Sequence, residues 1–158
     1  MKHKQAKGFT AGFTLIEILL VVALIALLAG IVIIAVNPAK QLADGRNARR
    51  RADVSTILNA VYQYEIDNNG QKPAVINQNA DCSGTASNEI CRTGGDCTNL
   101  TDLVNLTTNQ TYLPEIPVDP SLPASGNNTG YFINQTTNGR ITVCAAQSEL
   151  GVDISATR

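Results

Sequence analysis

The chain has 158 residues, 44% of them apolar, with 12 Lys and Arg against 13 Asp and Glu. That length allows one small domain, and the segment beyond Asn69, with Lys72, Arg92, Arg140 and Arg158 against eight acidic residues, is no nucleic-acid footprint. The single histidine, His3, leaves all later residues without a His-based triad or a His-rich metal site. No phosphate-binding or dinucleotide glycine pattern occurs, so neither an enzyme nor a cofactor is expected.

Lys2, His3, Lys4 and Lys7 make the start basic, and an apolar run follows over 13–36. As a helix that run reaches about 36 Å, enough to cross a bilayer with some tilt. The basic leader, 1–12, would stay on the cytoplasmic side. One carboxylate interrupts the run, at Glu17. An ionised group in such a segment is costly and implies a partner and a purpose. The run is longer than the apolar part of a secretory signal peptide, and no Ala-x-Ala exit follows Val36.

Gly12-Phe13-Thr14-Leu15-Ile16-Glu17, between a basic leader and an apolar helix, resembles the processing signal of type IV prepilins and related pseudopilins. The resemblance covers about the first 35 residues of the sequence. It implies that a membrane prepilin peptidase cuts after Gly12 and then methylates the amine of Phe13. It also implies that Glu17 recruits the subunit into a helical filament. Physical chemistry agrees: cleavage creates an α-amino cation four residues from Glu17. In a staggered stack of parallel helices, one subunit's amine meets its neighbour's carboxylate where either charge alone is disfavoured.

Helical periodicity continues through Val54, Ile57, Leu58 and Val61, so 37–69 reads as an amphipathic continuation of the stem. Asn68-Asn69-Gly70, with Pro73 after it, stops it. Gly30 and Pro38 weaken the helix between the two halves and are expected to act as a hinge in an assembled fibre. Alternatively, Asn37 caps a separate second helix with Pro38 at its first position. Arg49, Arg50 and Arg51 form the only dense cationic cluster. They read as a solvated stripe with Arg49 paired to Asp53, or as a contact for neighbouring subunits or DNA.

Residues 70–110 turn to Asn, Thr, Gly and Cys and read as a connecting loop with a short helix around 100–106. Cys82, Cys91, Cys97 and Cys144 lie beyond the apolar run, an even set that favours two disulfides over zinc. Of the three pairings available to four cysteines, we expect Cys82–Cys91 and Cys97–Cys144. Residues 111–158 hold the small sheet. Pro114 to Pro120 is rigid and extended, and 130–133 and 140–145 read as strands joined through Asn138-Gly139. It resembles the proline-rich turn of major pseudopilins and many short pilins. Some pseudopilins bind calcium near the sheet. Asp119 is a weak candidate here, one acid lacking a dense oxygen cluster.

The expected fold is α+β: a long helical stem, membrane-spanning in its first half, packed against a small antiparallel sheet. The resemblance implies a structural filament subunit, with identical or related pilin subunits, the prepilin peptidase, an inner-membrane assembly platform and the bilayer as partners. Its location would be the inner membrane, then an extracellular or periplasmic filament. The alternatives are a pseudopilin of a type II secretion system and a minor pilin that takes up DNA through Arg49–Arg51. The acidic head speaks against the latter.

Overall fold

A computed structural model describes residues 12–78 and 88–158. The basic leader before Gly12, and Cys82, lie outside the described residues.

The first helix, α1, spans Leu15–Ala35. Thr14 caps it, its hydroxyl oxygen accepting the Glu17 N–H at 3.3 Å. Glu17 stands in the first turn, where a negative charge suits the helix dipole. No residue of α1 is buried, and its apolar side chains are exposed all round. At 21 residues it is about 32 Å long, close to the thickness of a bilayer's hydrocarbon core. One N-terminal helix is thus long and apolar enough to cross a membrane.

The helix runs through Gly30 without interruption and ends at Ala35. Val36 leaves helical geometry at φ −100°, ψ 61°. The Asn37 side chain then accepts the Lys40 N–H at 3.2 Å. Pro38 opens the second helix, α2 (Pro38–Asp67), where its missing N–H would have had no intrahelical acceptor. The chain stops one helix and starts another within two residues. At the far end, Asn69 takes φ +55° and Gly70 φ +81°, and the Gly70 N–H reaches back to the Glu65 carbonyl at 2.8 Å. That bond pattern satisfies carbonyls that the helix end would otherwise leave open.

The chain divides into two compact units, one ending at Gln41 and the other running Leu42–Arg158. The second holds a four-stranded antiparallel sheet, β1 (Glu89–Cys91), β2 (Asn128–Gln135), β3 (Ile141–Ala145) and β4 (Ile154–Thr157), in that spatial order. Val54, Ile57, Leu58 and Val61 of α2 pack against Tyr131, Ile133, Ile141, Val143 and Ile154 of the sheet. A short helix, α3 (Val104–Thr107), adds Leu106 to the same core. The expected α+β arrangement of helices and a small antiparallel sheet is what the structure has.

Three details differ from the sequence expectations. Glu89–Cys91, inside the segment expected as loop, pairs with β2, and its outer edge is closed by Thr101, whose N–H donates to the Glu89 carbonyl at 2.8 Å. Ile154–Thr157 adds β4 where a tail was expected. Three- and four-residue strands carry too little alternation to be read locally; partners create them. Third, Cys91 bonds Cys97, so the expected Cys82–Cys91 and Cys97–Cys144 pairings do not form. The cause is the intervening turn: Gly94 at φ +75° and a Gly95 N–H to Arg92 carbonyl bond of 3.0 Å bring the two Cα atoms to 5.4 Å. Cys144 is disulfide-bonded too.

Candidate functional site

Two groups of residues are the candidates for functional chemistry, one in each unit. In the first, Gly12 precedes α1 in open chain, with nothing within 4 Å of where a Cβ would stand. Phe13 is 80% exposed. Among the described residues, nothing crowds the Gly12–Phe13 peptide bond. One turn later Glu17 projects from an otherwise apolar helix, and among the described residues its carboxylate has no hydrogen-bond or ion-pair partner.

In the second unit the three adjacent arginines have different fates. Successive residues of a helix point about 100° apart, so 49, 50 and 51 cannot share an environment. Arg49 is mostly solvated and lies 3.9 Å from Asp53, the expected i,i+4 pair. Arg51 is exposed. Arg50 is completely buried and forms a fork with Asp119, at 2.7 and 3.0 Å. The same guanidinium donates to Glu149 at 2.8 Å, to the Asn47 side-chain oxygen at 3.0 Å and to the Ser121 hydroxyl at 2.5 Å. A solvated stripe describes Arg49 and Arg51, not Arg50.

Around Arg50 the cluster is closed. Arg46 clasps Glu149 at 2.6 and 2.7 Å, and Asn47 exchanges bonds with the Glu149 backbone at 2.8 and 3.0 Å. Asp119 also accepts the Ser121 N–H and hydroxyl. Burial pushes the Asp119 carboxyl up, but the Arg50 guanidinium and Ser121 outweigh it and hold it below its ordinary value. Glu149, bonded to Arg46 and Arg50, is held down to about 2. Nearby, the Tyr131 hydroxyl donates to Asp53 at 2.7 Å, and burial together with this bond pushes the phenol well up.

The cluster engages Asp119, the weak calcium candidate of the sequence, in an ion pair. Both Asp119 oxygens accept from a buried guanidinium, which supplies the positive charge that a cation would bring. Among the described residues, no group of three His, Cys, Asp or Glu stands together as a metal site. Sequence reasoning missed Asn47, Ser121 and Glu149. A signal for part of it existed: Arg46, Asn47 and Arg50 share the helical face that continues through Val54, Ile57 and Val61 into the core.

Comparison with family models, with curated proteins and with solved structures returned no match.

Proposed function

We propose that the chain is the precursor of a structural subunit of a type IV pilus-like filament, processed after Gly12 and polymerised through α1. The observation that carries this reading is Glu17, a carboxylate without a partner among the described residues, in the first turn of an all-round apolar, exposed helix that Thr14 caps just after Gly12-Phe13. Cleavage after Gly12 supplies an amine at Phe13, and in a staggered parallel stack that amine answers the Glu17 of a neighbour. Lipid covers α1 before assembly and neighbouring helices cover it afterwards, so the apolar surface is never left to water. The membrane anchors the precursor, and the acidic head coats the fibre. DNA capture through Arg49–Arg51 fits less well, since Arg50 is buried and already bonded.

Mass spectrometry of membranes and sheared filaments tests the reading. The mature chain should begin with N-methylated Phe13, and Glu17→Ala should leave the protein in the membrane while filament yield falls. A mature protein that keeps Met1 to Gly12, or normal filaments from the alanine variant, would count against it. In the fibre we expect the helix to open between Gly30 and Pro38, beside the interruption at Val36. A filament reconstruction with an unbroken helix through that stretch would remove the hinge.

A further inference from the structure

Asparagine and threonine crowd one stretch of the head. Six asparagines stand between residues 99 and 134, and five of them open an Asn-x-Thr triplet: Asn99, Asn105, Asn109, Asn127 and Asn134. That triplet is the acceptor pattern for N-linked sugar, which is added at accessible surface loops of exported proteins. By sequence the five are equivalent. The fold separates them.

Four are held by the structure. Asn134 is itself in β2 and only 6% exposed. Asn127 is exposed, but its side-chain oxygen accepts the Asp96 N–H at 3.1 Å. Its threonine, Thr129, is completely buried, with the hydroxyl donating to the Ile90 carbonyl at 2.7 Å. The Asn99 triplet ends in Thr101, also buried, which exchanges backbone bonds with Glu89 and Cys91 along the edge of β1. The Asn105 triplet runs through α3, and its middle residue, Leu106, is sealed in the core. Presenting any of these four to an enzyme unpairs a strand or pulls a core side chain out, which is local unfolding with its cost.

Asn109-Gln110-Thr111 differs. Residues 108–111 are all exposed, on the loop tip that follows α3. Asn109 takes φ +53°, a conformation that asparagine tolerates, and its side-chain amide has no hydrogen-bond partner among the described residues. The Thr111 N–H and hydroxyl donate only next door, to the Thr108 carbonyl at 3.2 and 2.9 Å. The loop is tied at its base, where the Tyr112 and Leu113 N–H groups donate to the Leu106 carbonyl at 3.3 and 3.0 Å. The tip can therefore be handled while the core beneath it stays closed.

We propose that Asn109 is an N-glycosylation site of the folded head. Its amide nitrogen bonds to the anomeric carbon of a sugar carried on a lipid pyrophosphate. The pyrophosphate leaves with the electron pair of the broken C–O bond, and the amide gives up one proton. The attached sugar displaces no buried side chain. The filament reading contributes only that the head is exported to the side where lipid-linked donors are consumed.

The test has two arms. Full chain purified from its own host is unfolded, digested with chymotrypsin and mapped by mass spectrometry; cleavage after Leu106 and Tyr112 separates Asn109 from the other four triplets. The peptide 107–112 should carry a sugar, and the Asn109→Gln chain should lack it. In the second arm, sugar-free full chain folded in micelles receives a purified oligosaccharyltransferase that requires only Asn-x-Thr, with its lipid-linked oligosaccharide. Asn109 should fill at least about tenfold faster than each other triplet, the ratio that ~1.4 kcal/mol of opening cost sets. Reducing and alkylating the chain to unfold it should erase that ratio. A bare 107–112 peptide in the host's protein overturns the proposal, as does equal or faster filling of any other triplet in the folded chain. A ratio that survives unfolding also overturns it, because the sequence rather than the fold then chooses the site. The second arm needs neither cleavage nor assembly, so its result is independent of the filament reading.

Discussion

Replacing Arg50 by Met keeps most of the aliphatic volume and deletes the charge from the centre of the head. Five acceptor contacts vanish, two on Asp119 and one each on Glu149, Asn47 and Ser121. Glu149 keeps Arg46 and has some solvent, so its loss is small. Asp119 has neither, because its side chain is 0% exposed and Arg50 is its only ion-pair partner among the described residues. Orphaning one member of a fully buried pair typically costs ~3–5 kcal/mol. That is a large share of the roughly 5–15 kcal/mol that holds an ordinary domain together. Melting of the full chain in micelles, followed by circular dichroism, should therefore fall by roughly 10–20 °C at the lower end of that loss. The double variant Arg50→Met, Asp119→Leu should recover much of it, since the cost comes from the orphaned charge rather than from the absent pair. A single-variant loss below ~1 kcal/mol, the level of a surface ion pair, would refute the reasoning. So would a double variant as damaged as the sum of its parts.

Acid should spare the head down to low pH: the folded values of Asp119 and Glu149 are depressed, so their stabilisation is full above the ordinary carboxylate range near ~4 and is lost only as pH falls through the folded values, for Glu149 toward about 2. An acid transition seen by near-ultraviolet circular dichroism above pH ~5 would contradict this. Gly130→Ala should destabilise markedly, because Gly130 sits at φ +78° and a Cβ would stand 2.8 Å from the Asp119 Cβ; a melting temperature equal to wild type would show that the strand relaxes freely. Peptide mapping without reduction should recover Cys91 linked to Cys97, and serine at both positions should cost about 2 kcal/mol for so short a loop. Finding Cys91 joined to any other cysteine would overturn the assignment.

Residue-to-residue chemistry along the chain determined much of this protein without help from the fold. An apolar run of spanning length, the Asn37-Pro38 restart, the helical spacing of Val54 to Val61 and the Asn69-Gly70 stop are all local signals, because the physical cause of each lies within a few residues. The hairpin is local as well: Gly139 at φ +80° closes a turn in which its N–H donates to the Thr136 carbonyl at 2.9 Å. Helical spacing puts Arg50, rather than Arg49 or Arg51, on the face of Val54, Ile57 and Val61, but only the tertiary structure carries the buried region far enough along that face to cover it. The tertiary structure also supplied the partners, for Asp119 and Glu149 lie 69 and 99 residues from Arg50. Such pairs form where the topology brings two loops to one point on a helix, and no periodicity encodes that meeting. The same reason hid β1 and β4, whose hydrogen-bond partners are distant, and the Cys91–Cys97 bond, which a turn's geometry selects among pairings that spacing leaves open.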